Sequence, residues 1–374
     1  MKSSILTTAI CSMASVLGAY AQSRVDTHSH YLPDFYQQAL RDAGHVPGPD
    51  GMPAIPEWDP ETHLQFMKNQ SISKSYLSIS SPGVYLTPPS KAATAKAIKL
   101  ARQVNEYGSK LKAKYPDQFG FFASLPLPDV KASLEEIKYC FNKLNPKPDG
   151  IVVMSNYYGL YLGDPELDPV YEALNKLGVT IFEHPTTPCT VHNHKQYKID
   201  DKKDPKISQQ EWQALNRPIA DRMLTAPLLD FPFDTARTVA DLFLSDVPAR
   251  FSNIRWIIPH AGGGLIPTLD RLLLYPVLYP GGATLTADTL KEALSTQFYF
   301  DLAGPWPVNY SIPPLLRWVN YTNILSGSDV PFTSWAAGAA GITGFESVIG
   351  QVFDDQTKVQ AIRSANALGL LGGK

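Results

Sequence analysis

At 374 residues, with 44% hydrophobic and 18% charged side chains, the chain can bury a large core and is not a disordered segment. A formal charge of -2, with no long run of like charge, leaves no basic surface for nucleic acid or an anionic membrane, so a small-molecule substrate is the default. The length exceeds that of an average domain but fits one barrel of eight β/α units with insertions.

The chain opens with Lys2, an apolar run from Ile5 to Leu17 and the small-x-small site Ala19-Tyr20-Ala21. This pattern predicts a signal peptide over residues 1–21, too short to span a bilayer, ahead of a single domain over 22–374. The expected compartment is the secretory pathway, secreted or lumenal, and the mature chain has no membrane span. If the leader is instead an extra N-terminal helix, the expected compartment is the cytoplasm. Sequons at Asn69, Asn309 and Asn320 are open to glycosylation on the secretory route. Cleavage removes Cys11 and leaves Cys140 and Cys189, too few for a disulfide framework and lacking the spacing of a thiolate zinc site.

Beyond the leader, apolar strand-like runs at 23–26, 120–124, 150–154, 178–182, 254–258, 298–300 and 324–325 each lead into polar residues. Helical patterns at 90–114, 130–144, 165–177 and 235–244 fall between them. This alternation predicts an α/β fold, a (β/α)8 TIM barrel. A doubly wound open sheet shares the periodicity but usually carries a glycine-rich phosphate turn after its first strand, where this chain has His28-Ser29-His30. The stretches 45–58 and 190–216 are expected to pass over the barrel mouth and shape a pocket.

In such a barrel, functional groups gather at the carboxyl ends of the strands. His28 and His30, two apart on an extended segment, point to one side and can share an ion. His184 and Asp329 end later strands and supply a third and a fourth ligand. Taken singly, His184 also reads as a core histidine and Asp329 as a helix cap. Three imidazoles and a carboxylate suit zinc and also accept manganese, iron or cobalt. His260, ahead of Gly262-Gly263-Gly264, is a candidate acid/base or charge-stabilising group. Asp26 is a candidate to orient His28 or His30. Trp58, Trp306 and Phe332 are aromatic enough to line the mouth for a flat substrate, but they also read as packing.

The set His28-Ser29-His30, Glu183-His184-Pro185, Pro259-His260-Ala261-Gly262-Gly263 and Ser326-Gly327-Ser328-Asp329 resembles the aminocarboxymuconate-semialdehyde decarboxylase family of metal-dependent amidohydrolases. The segments from Val25 to Tyr31, from Pro49 to Pro53 and from Leu77 to Gly83 are similar to the 6-methylsalicylate decarboxylase branch. The resemblance implies one divalent ion, zinc first and manganese second, on His28, His30, His184 and Asp329, with His260 catalytic. It also implies a homodimer, with Arg271, eleven residues after His260, reaching the neighbouring subunit's site. The expected reaction is nonoxidative decarboxylation of a small hydroxylated aromatic acid, 6-methylsalicylic acid to m-cresol in polyketide metabolism, with Asp329 as proton donor. The alternative is hydrolysis of a lactone, amide or ester at the same ion.

Overall fold

The structure is a computed structural model that describes residues 23–189, 208, 225–278, 285–304 and 308–372. The leader, most of the stretch 190–216 and Trp306 therefore lie outside the described residues.

Eight parallel strands form one sheet: β1 (Arg24–His30), β2 (Ile72–Ser78), β3 (Phe119–Ser124), β4 (Gly150–Met154), then β7 (Thr180–His184), β8 (Arg255–Ile258), β9 (Phe298–Asp301) and β10 (Ile324–Leu325). A small antiparallel pair, β5 (Asn156–Tyr157) and β6 (Leu160–Tyr161), stands apart. The backbone N–H of Thr27 donates to Ser326 O at 2.9 Å, and that of His30 to Val330 O at 2.8 Å, which brings the last strand's loop back onto the first. The fold is the (β/α)8 barrel expected from the alternating pattern.

Strands covered on both faces need no alternation, and β1, β3, β4 and β7 are buried at every position. Helices supply the outer cover. The helix Lys91–Lys114 is capped by the Ser90 side chain and buries Ala93, Ala97, Leu100, Ala101 and Val104, a stripe at helical spacing that faces the sheet.

Two elements differ from expectation. β2 carries Ser73, Lys74 and Ser75 where an apolar run would announce a strand, and its outer positions 73 and 74 are not buried. The helix Ala226–Leu244 starts nine residues before the expected 235, and Pro227 and Pro232 interrupt the helical pattern of its first half. Pro232 O accepts from the N–H of Gly264 at 2.9 Å, tying this helix to the turn after β8.

Beside β1–β3, the helix Pro60–Asn69 buries His63 completely. Its Nδ1 accepts from Trp58 Nε1 at 3.0 Å, and Phe119 and Trp335 flank the ring. Burial first, and the positive charge on His30 second, lower its pKa to about 3. The folded value lies below the unfolded 6.5, so stability is complete above pH 6.5 and is lost as pH falls from there towards 3. His63→Asn keeps an acceptor for Trp58 but cannot titrate. Urea unfolding at pH 6.5 and 5 is expected to show a shallower acid loss in this variant, by roughly 1 kcal/mol per pH unit. Equal slopes would assign the acid sensitivity elsewhere.

Candidate metal centre and pocket

Because all eight strands run parallel, their last residues meet at one rim. His30 pairs with Ser78, Met154 with His184, and Leu325 with Asp301. At this rim His28, His30, His184 and Asp329 bring one ligand atom each to within 4.8 Å of one another. Asp329 Oδ1 lies 3.1 Å from His30 Nε2 and 3.4 Å from His28 Nε2. Ligands about 2.0–2.1 Å from a tetrahedral ion stand roughly 3.3 Å apart, so this spacing fits zinc-sized coordination.

Each imidazole is held through its other nitrogen. His28 Nδ1 donates to Asp301 Oδ2 at 3.0 Å, His30 Nδ1 to Ser78 at 3.1 Å from Oγ, and His184 Nδ1 to Pro185 O at 2.7 Å. All three therefore present Nε2 to the common centre, the tautomer that an ion needs. His28 Nε2 makes no well-formed hydrogen bond, and its nearest carboxylate oxygen, Asp329 Oδ1 at 3.4 Å, stands at the separation of two ligands on one ion.

The electrostatics also call for a cation at this point. Burial opposes charge on His28, but Asp301 and Asp329 outweigh it and push the ring up to about 10. Burial and the charge on His28 then hold His30, His184 and His260 below their ordinary values. Asp329, although buried, is kept well below the usual carboxylate range by the same imidazoles. A divalent ion held at this point would answer the two carboxylates and leave the imidazoles neutral.

Two local backbone features set this geometry. Gly327 lets the loop after β10 press on β1, since a Cβ there would stand 2.9 Å from His28 Cβ and 3.0 Å from Ala303 Cβ. After β8, His260, Ala261, Gly262 and Gly263 all have positive φ, and this sharp turn sets the His260 ring 5.0 Å from that of His28. Non-glycine residues in that region, Asp329 at φ 62° among them, mark strain kept for function. His260 Nδ1 donates to Ala303 O at 3.2 Å.

Asp26 does not orient a ring. Its oxygens accept from the N–H of His28 at 3.2 Å and from Ser328 through N at 3.0 Å and Oγ at 2.6 Å, so it fastens the Asp329 loop to β1. The orienting carboxylate is Asp301, which also accepts from the N–H groups of His260 and Ala303. Its position at a strand end was visible in the sequence; its partner 273 positions away was not. Asp301→Asn is expected to weaken zinc binding about 10–100-fold, read by competition with a chromogenic chelator. Unchanged affinity would show that the Asp301 contact does not tune the ligand.

A pocket of about 420 Å³ opens above the centre, within the size range of small-molecule sites. His184, His260, Asp329 and Ser80 form its floor, and Met52, Leu228, Phe231 and Phe332 form an apolar wall. Phe332 also packs edge-on against His30 at 5.5 Å. Trp58 is buried beside His63 rather than at the mouth. Arg271 is exposed on the helix Leu269–Leu272 and does not line this pocket.

A barrel whose strand ends gather three imidazoles and a carboxylate below an apolar pocket is the architecture of a metal-dependent amidohydrolase. The chain belongs to the Amidohydrolase family, whose model matches residues 25–373. It is 30% identical over 313 residues to a 6-methylsalicylic acid decarboxylase of Penicillium expansum, covering 83% of this chain and 85% of that protein. The crystal structure of an amidohydrolase II, a structural genomics target, superposes with a TM-score of 0.74 at 31% identity, covering 94% of this chain and all of that one. A dihydroxybenzoic acid decarboxylase from Polaromonas, solved with manganese and 2-nitroresorcinol, shares the fold at a TM-score of 0.67 and 19% identity, over 94% of this chain and 97% of that one.

Proposed function

We propose that the chain is a metal-dependent nonoxidative decarboxylase of a small hydroxylated aromatic acid, converting 6-methylsalicylic acid to m-cresol. The observation that carries this reading is the convergence of three Nε2 atoms and Asp329 Oδ1 beneath a pocket with an apolar wall, in a chain similar to a 6-methylsalicylic acid decarboxylase. His28, His30, His184 and Asp329 hold one divalent ion. Their three nitrogens and one oxygen suit zinc and accept manganese. When bound, the ion supplies Lewis-acid polarisation and a fixed point for the carboxylate and ortho oxygen of the substrate.

The chain's own groups move the proton. Asp329, held well below the usual carboxylate range by the surrounding imidazoles, can accept the phenol proton as substrate enters, with Thr333 Oγ1 donating to its Oδ2 at 3.1 Å. It then delivers that proton to the carboxyl-bearing carbon. The carbon–carbon bond breaks, carbon dioxide leaves, and its bonding pair restores the aromatic ring. His260 stabilises charge during this step and relays a solvent proton to the product phenolate. Phe231, Phe332, Met52 and Leu228 exclude water and hold the ring flat.

The test is carbon dioxide release from a panel of hydroxybenzoic acids in water enriched in heavy oxygen, with and without chelator. The reading expects release from 6-methylsalicylate, its loss on chelation, and no label in the phenol. Label in the product would mean hydrolysis.

The same reading includes a homodimer in which Arg271 completes the partner's site. It is supported by the exposure of Arg271 close in sequence to Leu274, Val277 and Leu278, which are also exposed. Sedimentation as a monomer at assay concentration would contradict it. Residues 1–21 are proposed to direct the chain to the secretory pathway; Asn69 and Asn320 are exposed and available for glycosylation there, and the Asn309 side chain lies outside the described residues.

A further inference from the structure

The pocket contains a charged group that the decarboxylation does not use. Asp50 lies in the short turn Pro49–Gly51 and lines the same pocket as His184, His260 and Asp329, yet it is only 4% exposed. Its backbone is left-handed, at φ 53° and ψ 26°, a conformation that aspartate and asparagine tolerate better than most residues. The carboxylate is pinned from one side. Thr187, three residues beyond His184, donates its hydroxyl to Asp50 Oδ1 at 2.5 Å, and Thr187 is itself held through its carbonyl by Asn156 Nδ2 at 3.2 Å.

No lysine or arginine among the described residues pairs with Asp50, and none lines the pocket. His45, whose ring senses the Asp50 charge, is buried, donates its Nε2 proton to Leu86 O at 2.7 Å, and is kept from gaining charge by burial. The second oxygen, Oδ2, has no hydrogen-bond partner among the described residues. An oxygen that lines the pocket and is bonded to no described side chain is placed to take a hydrogen-bond donor from a bound ligand. Apart from the metal-centre groups and Ser80, the other described lining residues are the apolar Met52, Pro227, Leu228, Phe231 and Phe332, the backbone of Gly304 and the hydroxyls of Thr225 and Thr333, so Asp50 is the charged group there outside the metal centre.

We infer that Asp50 is a specificity-determining residue that reads the edge of the aromatic ring away from the reacting carboxylate, accepting a hydrogen-bond donor there and refusing a second carboxylate. This rests on the decarboxylase reading for its substrate class. The physical basis is asymmetric: a hydroxyl gives Oδ2 a donor, whereas a carboxylate meets like charge with no lysine or arginine among the described lining residues to offset it.

Matched pairs of acids test it. 2,4-Dihydroxybenzoate differs from 2-hydroxyterephthalate, and 2,5-dihydroxybenzoate from 4-hydroxyisophthalate, only in carrying hydroxyl or carboxylate at one position. For the zinc-loaded wild type, kcat/KM is expected to favour the hydroxyl member of at least one pair by about 100-fold. Asp50→Asn suits the left-handed backbone and keeps an oxygen for Thr187, and it is expected to cut that ratio at least about tenfold, chiefly by admitting the dicarboxylate. Titration calorimetry of the same acids reads the ratio as Kd without turnover. A wild type that turns over no acid, but whose Kd ratio collapses in Asp50→Asn, would refute the decarboxylase reading and retain the role of Asp50. A wild type that does not discriminate within either pair, or an Asp50→Asn variant that weakens all four acids by one common factor, would overturn it. Asp50→Ser, with thermal melting of both variants, separates such a common loss from unfolding.

Discussion

His184→Ala is expected to abolish both metal retention and carbon dioxide release, with activity falling by roughly a thousandfold or more, about 4 kcal/mol of barrier. His184 brings its Nε2 to the other ligand atoms from the opposite side of the barrel, and among the described residues the other imidazole at this rim, His260, groups with His28 and Asp301 rather than with the three remaining ligands. The fold should survive. The truncation removes a buried ring next to Phe182 and Phe231 but spares the β4–β7 pairing, so circular dichroism is expected to match that of the wild type. Metal content by mass spectrometry and activity should fall together. A folded variant without metal that still releases carbon dioxide would remove the ion from the reaction.

Asp329→Asn separates holding the ion from moving the proton. The amide oxygen can still approach His30 Nε2, now 3.1 Å from Oδ1, so part of the metal should be retained at saturating zinc. An amide cannot carry the substrate's proton to the ring carbon. Activity per bound zinc is therefore expected to fall about 100- to 10,000-fold, mainly in kcat. Full activity with bound metal would refute the role given to Asp329 and move the donor to His260.

Much of the barrel could be read from the sequence because buried parallel strands are continuous apolar runs. β3, β4, β7 and β8 announce themselves in that way. β2 does not, because Ser73, Lys74 and Ser75 sit at its less covered end, and the front of the helix Ala226–Leu244 hides behind Pro227 and Pro232. The ligands were legible for a different reason. A histidine or aspartate at the end of a strand is a candidate for the mouth, and although His184 alone also reads as a core histidine and Asp329 as a helix cap, the HxH pair, the later strand ends and the family resemblance together point to His28, His30, His184 and Asp329.

What could not be read is which group supports which. Asp26 is two residues from His28, and Asp301 is 273 away, yet Asp301 holds the ring while Asp26 holds the backbone. Sequence distance favours the wrong carboxylate, because alternate residues of a strand lie on one face but their hydrogen bonds run to neighbouring strands and loops. Asp50 is a similar case. Its turn could be recognised as a crossing of the mouth, but the burial of its carboxylate and its contact with Thr187 depend on a loop 137 positions later.

The account rests on one shared cation, and anomalous diffraction at the zinc edge from crystals of the zinc-loaded protein examines it directly. The expected result is a single strong peak about 2.0–2.2 Å from the Nε2 atoms of His28, His30 and His184 and from Asp329 Oδ1. A peak elsewhere, or a fully folded, active protein with no peak at this rim, would contradict it.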